Sequence, residues 1–164
     1  MSELRLELPR SGVDATITLH EQYAPTVCGL IVETLQAPLE THTSHACFAG
    51  HQVYCALPPT RETPPVENTT IRVTAGDVLF FYAGPNSFAW MQREAGRVAP
   101  DGPGSPVYEL AFTYGISDLS YFASEGWQGS LVGRITAGLD EFGQACARTL
   151  VEGQEPLRLS CTDA

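Results

Sequence analysis

Between Val73 and Ala83 the chain reads Val-Thr-Ala-Gly-Asp-Val-Leu-Phe-Phe-Tyr-Ala, and this stretch limits the fold more than any other. Ala75-Gly76-Asp77 is a turn, and branched and aromatic residues fill the chain until Gly84-Pro85-Asn86 turns it again. Val78, Phe80 and Tyr82 alternate with Leu79 and Phe81, so both faces of the strand are apolar and each must be covered. Such a strand belongs in the middle of a closed or double-layered β structure.

The flanking sequence supplies material for that closure. Leu4, Leu6 and Leu8 alternate with polar residues, and after Pro9-Arg10-Ser11-Gly12 the alternation resumes with Val13, Ala15, Ile17 and Leu19, which predicts a hairpin with one wet face. Pro25 precedes Val27, Leu30, Ile31 and Leu35, an apolar stripe that predicts a helix to about Gln36. Residues 42–48 and 51–57 read as a second hairpin turning at Ala49-Gly50. A proline-rich loop from Pro58 to Pro65 leads to a strand over 70–74 and then to the central strand, for which 87–92 is the expected hairpin partner. Residues 94–106, broken by Gly96, Gly102, Gly104 and three prolines, are expected to form an irregular flap. Residues 107–114 are a strand, 116–129 an aromatic-bearing loop and 131–136 a strand. A helix over 139–150 follows, with Leu139, Phe142, Ala145, Cys146 and Leu150 facing inward, and Leu157, Leu159 and Cys161 form a closing strand. The expectation is a mainly β fold in one domain over residues 1–164, a closed barrel of about eight strands capped by two helices.

Composition restricts what such a barrel can meet. Nine basic residues, all arginine, face nineteen acidic ones, giving a net charge of -10. A surface this negative repels phosphate backbones and anionic lipid, which argues against nucleic acid or membrane as partners. The polar N-terminus and the lack of a long apolar run point to a cytoplasmic protein. Five scattered cysteines, without a C-x-x-C pair, indicate neither a disulfide framework nor a zinc knuckle.

Residues 17–35, ITLHEQYAPTVCGLIVETL, resemble the opening of cyclophilins, and residues 132–161, VGRITAGLDEFGQACARTLVEGQEPLRLSC, resemble their ending. With Gly50-His51-Gln52-Val53-Tyr54-Cys55 and Gly76-Asp77-Val78 between them, the whole looks most like bacterial cyclophilin-like families of unknown function. That resemblance implies a barrel whose last strand lies beside the N-terminal hairpin. It also implies that prolyl isomerase chemistry is impaired, because Ala46 stands where cyclophilins carry their arginine, and His51 and Gln52 where they carry Phe and Met. Arg72 or Arg93 would have to supply the missing guanidinium.

Two further readings stay open beside this one. His42, His45 and His51 suggest a cupin-like metal enzyme, although residues three apart on a strand point to opposite faces, and no metal or cofactor is assigned. The other is binding without chemistry. Alternation through the second hairpin puts Ala46, Phe48, Val53, Cys55 and Leu57 on a core face and His45, Cys47, Gln52 and Tyr54 on a polar one. The expected site for a small molecule or peptide is therefore His45, Gln52 and Tyr54, joined by Tyr82 and Trp127, with Arg93 at the rim. If a reaction occurs there, His45 or His51 is the expected general base. The apolar central strand and the aromatics near Trp127 also suggest a homo-oligomer.

Overall fold

The computed structural model describes residues 1–59, 63–87, 89–98, 101–124 and 126–162. Residues 60–62 of the proline-rich loop, Phe88 of the expected hairpin partner, Ala99 and Pro100 of the expected flap and Glu125 of the aromatic loop lie outside them. The fold is mainly β, a nearly closed antiparallel barrel. Glu3–Leu8 (β1) and Val13–Leu19 (β2) form the expected hairpin, and their alternate leucine, isoleucine and alanine side chains are all buried. Pro156–Cys161 (β10) pairs with the other edge of β1, Leu159 opposite Leu6, so the closing strand lies where it was expected.

From β2 the sheet continues through Ser130–Ala137 (β9), Asp77–Ala83 (β7), Val107–Asp118 (β8), Gly50–Leu57 (β5) and Ser44–His45 (β4). In the other direction β10 carries Leu39–His42 (β3), and Arg72–Val73 (β6) adds to the far end of β8. The two ends of this path meet within one piece of chain, because only Thr43 separates β3 from β4. The Thr43 N–H donates to the Glu155 carbonyl at 2.8 Å, and the Glu155 N–H donates to Thr43 Oγ1 at 3.0 Å. A single bent strand thus bridges the two ends of the nearly closed barrel, its first half on β10 and its second on β5. This corrects the expected unbroken strand over 42–48, and its turn is also longer, since Ala46 to Ala49 lie between the paired strands.

Four helices lie among the described residues, where two were expected. Pro25–Thr34 (α1) buries Val27, Leu30 and Ile31, and its free first-turn donors meet the Glu67 carboxylate, which accepts from the Thr26 and Val27 N–H groups at 3.0 Å. Leu139–Glu152 (α4) buries Phe142, Ala145, Cys146 and Thr149. Leu150, expected inside, is exposed, because the stripe at 142, 145, 146 and 149 leaves position 150 about 100° further round the helix. The stretch expected to be hairpin partner and flap contains a helix, Ala89–Val98 (α2), and a short one, Ser120–Ser124 (α3), interrupts the aromatic loop. The central strand β7 takes its partners from β8 and β9 instead.

Both faces of β7 are covered, as their apolar character requires. Val78 and Phe80 join the main core inside the barrel with Leu4, Leu6, Ile17, Phe112 and Phe142. Leu79 and Phe81 join a second cluster on the outside with Tyr54, Ala111 and Leu119, covered by Phe122 and Trp127. This outer cluster positions the candidate site.

Candidate functional site

On the outer face of the sheet, strand register fixes which side chains share a row. Tyr54 of β5 and Leu79 of β7 flank Ala111 of β8, and one row further Ala56 and Phe81 flank Glu109. Helix α2 lies across β5 and β8, while α3 and the chain through Trp127 cover β7. The covering leaves a cavity of about 420 Å³. Gln52, Tyr54, Phe81 and Glu109 come from the sheet; Ser44 through Phe48, leaving the barrel seam, make one wall; Phe122 and Trp127 make the opposite one. Arg93 and Gln154 stand at its edge.

Each wall is held by identifiable contacts. Trp127 packs on Phe81 with ring centroids 4.7 Å apart and meets Phe122 edge-on at 5.3 Å, and its indole N–H donates to the Tyr82 carbonyl at 2.8 Å. Gly129 makes room for this stack, since a Cβ there would stand 2.6 Å from the Phe81 ring. Gln154 donates to Ser44 Oγ at 2.7 Å and ties the end of α4 to the seam. Gln52, which is buried, donates to Thr113 Oγ1 at 3.4 Å. Phe48 is exposed and lies 5.9 Å from the equally exposed Tyr121 ring.

Five of the six expected site residues therefore border one cavity: His45, Gln52, Tyr54, Arg93 and Trp127. Tyr82 does not, because it packs toward the core and against Tyr108, and only its backbone carbonyl reaches the site through Trp127. Ala46 and Phe48, expected in the core, line the cavity wall, since the chain leaves β4 after His45 and strand alternation stops there.

The histidines are placed differently from the expected bases. His45 Nδ1 is 2.9 Å from the Ala46 carbonyl, which can only accept, so this nitrogen carries the proton. Nε2, 2.6 Å from the Tyr114 hydroxyl, then accepts, and both ring nitrogens of a neutral His45 are engaged. His51 lies outside the cavity, exposed, against Ile116 and the Tyr114 ring. His42 faces Pro156 across β10. Among the described residues no three His, Cys, Asp or Glu side chains converge as metal ligands would. Arg93 donates to its neighbour Glu94 at 3.1 Å, and Arg97 reaches the other oxygen of the same carboxylate at 3.3 Å.

The sequence reading missed Glu109. Its side chain is 4 % exposed, it borders the cavity, and its Oε2 has no hydrogen-bond partner among the described residues. Burial first, and the Glu94 charge second, push its pKa up to about 8. Burial also pushes the Tyr54 hydroxyl up to about 12, with the Glu109 charge adding to the effect. The available signal was one carboxylate inside the apolar run Val107-Tyr108-Glu109-Leu110-Ala111-Phe112, a residue type rarely buried without a partner.

A family model covers residues 6–161, and its description is a protein of unknown function, DUF3830. The chain belongs to the DUF3830 family. The curated proteins include no match to it. Among solved structures, McbB in complex with tryptophan is similar with a TM-score of 0.62 and 17% identity over 96% of this chain. The matched part is 44% of McbB, so this chain spans less than half of that relative's length. The hypothetical protein AF2241 from Archaeoglobus fulgidus is similar with a TM-score of 0.53 and 15% identity, over 97% of this chain and 93% of its own. At these identities the likeness establishes the barrel fold, and chemistry must be argued from the residues.

Proposed function

We propose that this DUF3830 protein is a small-molecule-binding module whose site is the outer cavity between β5, β8, α2 and the Trp127 segment. One observation carries the reading: a cavity of about 420 Å³ combines aromatic walls with a few converging polar groups, among them a buried carboxyl whose Oε2 has no partner among the described residues. Organic ligands are held by cavities of roughly 300–1,000 Å³ with this kind of lining. That McbB, a barrel of similar fold, is known in complex with tryptophan supports placing a small-molecule site on such a scaffold.

The cyclophilin-like reading of the architecture is part of this proposal, supported by the cap helices α1 and α4 and by β10 beside the N-terminal hairpin. Prolyl isomerisation is not part of it. Ala46 lines the cavity without an electrophile, and the Arg93 guanidinium is bound to Glu94. A thermal-shift screen with metabolites, short peptides and divalent metals tests the reading. A ligand at a hundredfold its dissociation constant should stabilise the protein by about 2.7 kcal/mol, and Tyr54→Ala should abolish the shift. A hit that stabilises Tyr54→Ala as much as the parent would move the site elsewhere, and a metal giving the largest shift would revive the cupin-like alternative.

A further inference from the structure

Glu109 narrows the ligand class. Most buried carboxylates are kept because donors surround them, and those that lack donors weaken the fold that holds them. Among the described residues Glu109 is the one charged side chain with a buried oxygen left unpartnered. It lies on the cavity floor beside Phe81 and under the same covering as Trp127, Phe122 and Tyr54. A carboxyl oxygen set among aromatic faces is the pairing that recognises ammonium groups, the anion taking an N–H and the ring faces taking the positive charge.

We infer that Glu109 makes this cavity a site for an organic cation, a protonated amine carried on an aromatic or apolar body. The inference rests on the pocket reading above and adds the charge of the ligand to it. An anionic ligand would meet Glu94, a protein of net charge -10 and, above about pH 8, the Glu109 charge, while Arg93, the one cation lining the cavity among the described residues, is already engaged by Glu94. A neutral ligand can hydrogen-bond the carboxyl but brings no opposite charge to it, and charge-assisted hydrogen bonds are about twice as strong as neutral ones.

The inference has a pH signature. The titratable and charged groups around Glu109 are Arg93 and Glu94 from α2, Tyr54 from β5 with Cys55 on that strand's other side, and His45 and Cys47 from the seam wall. β7 and α3 present the phenyl rings of Phe81 and Phe122. Below about pH 8 Glu109 holds its own proton, which an ammonium ligand must displace, so its affinity rises with pH up to that point and then levels.

Three indoles with one ring system test this in calorimetric titrations of the whole chain: tryptamine (cationic), tryptophol (neutral) and indole-3-acetate (anionic). At pH 8.5 tryptamine should bind at least about tenfold tighter than tryptophol, with indole-3-acetate weakest. Tryptamine affinity should climb toward tenfold per pH unit between pH 6.5 and 7.5, and tryptophol affinity should stay level. Glu109→Gln should bring tryptamine and tryptophol within about threefold of one another and remove the pH slope. Equal affinities for tryptamine and tryptophol in the parent, unchanged by Glu109→Gln, would overturn the inference while leaving the pocket occupied. Tightest binding of indole-3-acetate would overturn it in favour of Arg93. Failure of all three to bind at millimolar concentration would also overturn it, and the separate ligand screen then decides the pocket. The parent comparison across ligands and pH stands even if the variant does not fold.

Discussion

Two buried glutamates, one at the barrel seam and one on the outer cavity floor, receive opposite treatment from the fold. Glu155 is 1 % exposed, forms an ion pair with Arg10 Nη2 at 2.8 Å, accepts from Arg10 Nε at 3.0 Å, and takes the Ser11 N–H at 2.8 Å. Asp77 repeats the pattern with Arg134 and the Thr74 N–H. Glu109 is buried almost as deeply, and its Oε2 has no partner among the described residues. The seam supplies donors because a carboxylate removed from water without them costs several kcal/mol. The cavity withholds them, and the difference separates a carboxylate that holds structure from one available to something outside the chain.

The largest effect that could break this contrast is on stability against pH. An acid whose folded pKa is raised from 4.5 to about 8 contributes stability that is complete below pH 4.5 and is lost as pH rises through 8. Denaturant unfolding should therefore show the parent falling behind Glu109→Gln by on the order of 4 kcal/mol between pH 4.5 and pH 9. A constant difference across that range would mean Glu109 is satisfied after all. Next in size, Glu155→Ala should destabilise by about 3 kcal/mol at pH 7 in the same measurement, because Arg10 and the Ser11 N–H lose their acceptor. A loss below 1 kcal/mol would erase the distinction from the other side.

Two smaller effects sharpen the cavity half of the comparison. Gly129→Ala should cost about 1–2 kcal/mol by pushing Phe81 off Trp127, and near-ultraviolet circular dichroism should report the altered Trp127 environment. Phe48→Ser should change stability by less than about 0.5 kcal/mol, since the ring is 74 % exposed. It should nevertheless weaken any cavity ligand measurably in the titrations.

How much of this was legible in the chain depended on how local each cause was. The hairpin of β1 and β2, α1 behind Pro25 and the closing strand β10 follow from alternation and helical spacing, and the structure has them. Gln52 and Tyr54 were placed on the polar side of β5 by period-two counting alone. The seam could not be read, because Thr43 bends the chain to meet Glu155, 112 residues away. Helix α2 was obscured by Gly96 and the prolines beyond it, although Glu94 and Arg97 already formed a helix-spaced charge pair. Glu109 escaped notice because its significance is a missing donor, which only the folded neighbourhood reveals. Of the two grounds for self-association, the apolar outer face of β7 is covered within the chain by Phe122 and Trp127, whereas aromatics beside them, Phe48 and Tyr121, are exposed.

The bent strand at Thr43 divides the chain's freedom to vary. On one side of the bend, residues must pair with β10 and meet the Glu155 backbone at once, which leaves little room for exchange. On the other, the segment from Ala46 to Phe48 borders the cavity beyond the last β4 pairing, and a different length or composition there would reshape the opening without disturbing closure. The shape of the cavity mouth can therefore change through three residues adjoining a latch that stays fixed.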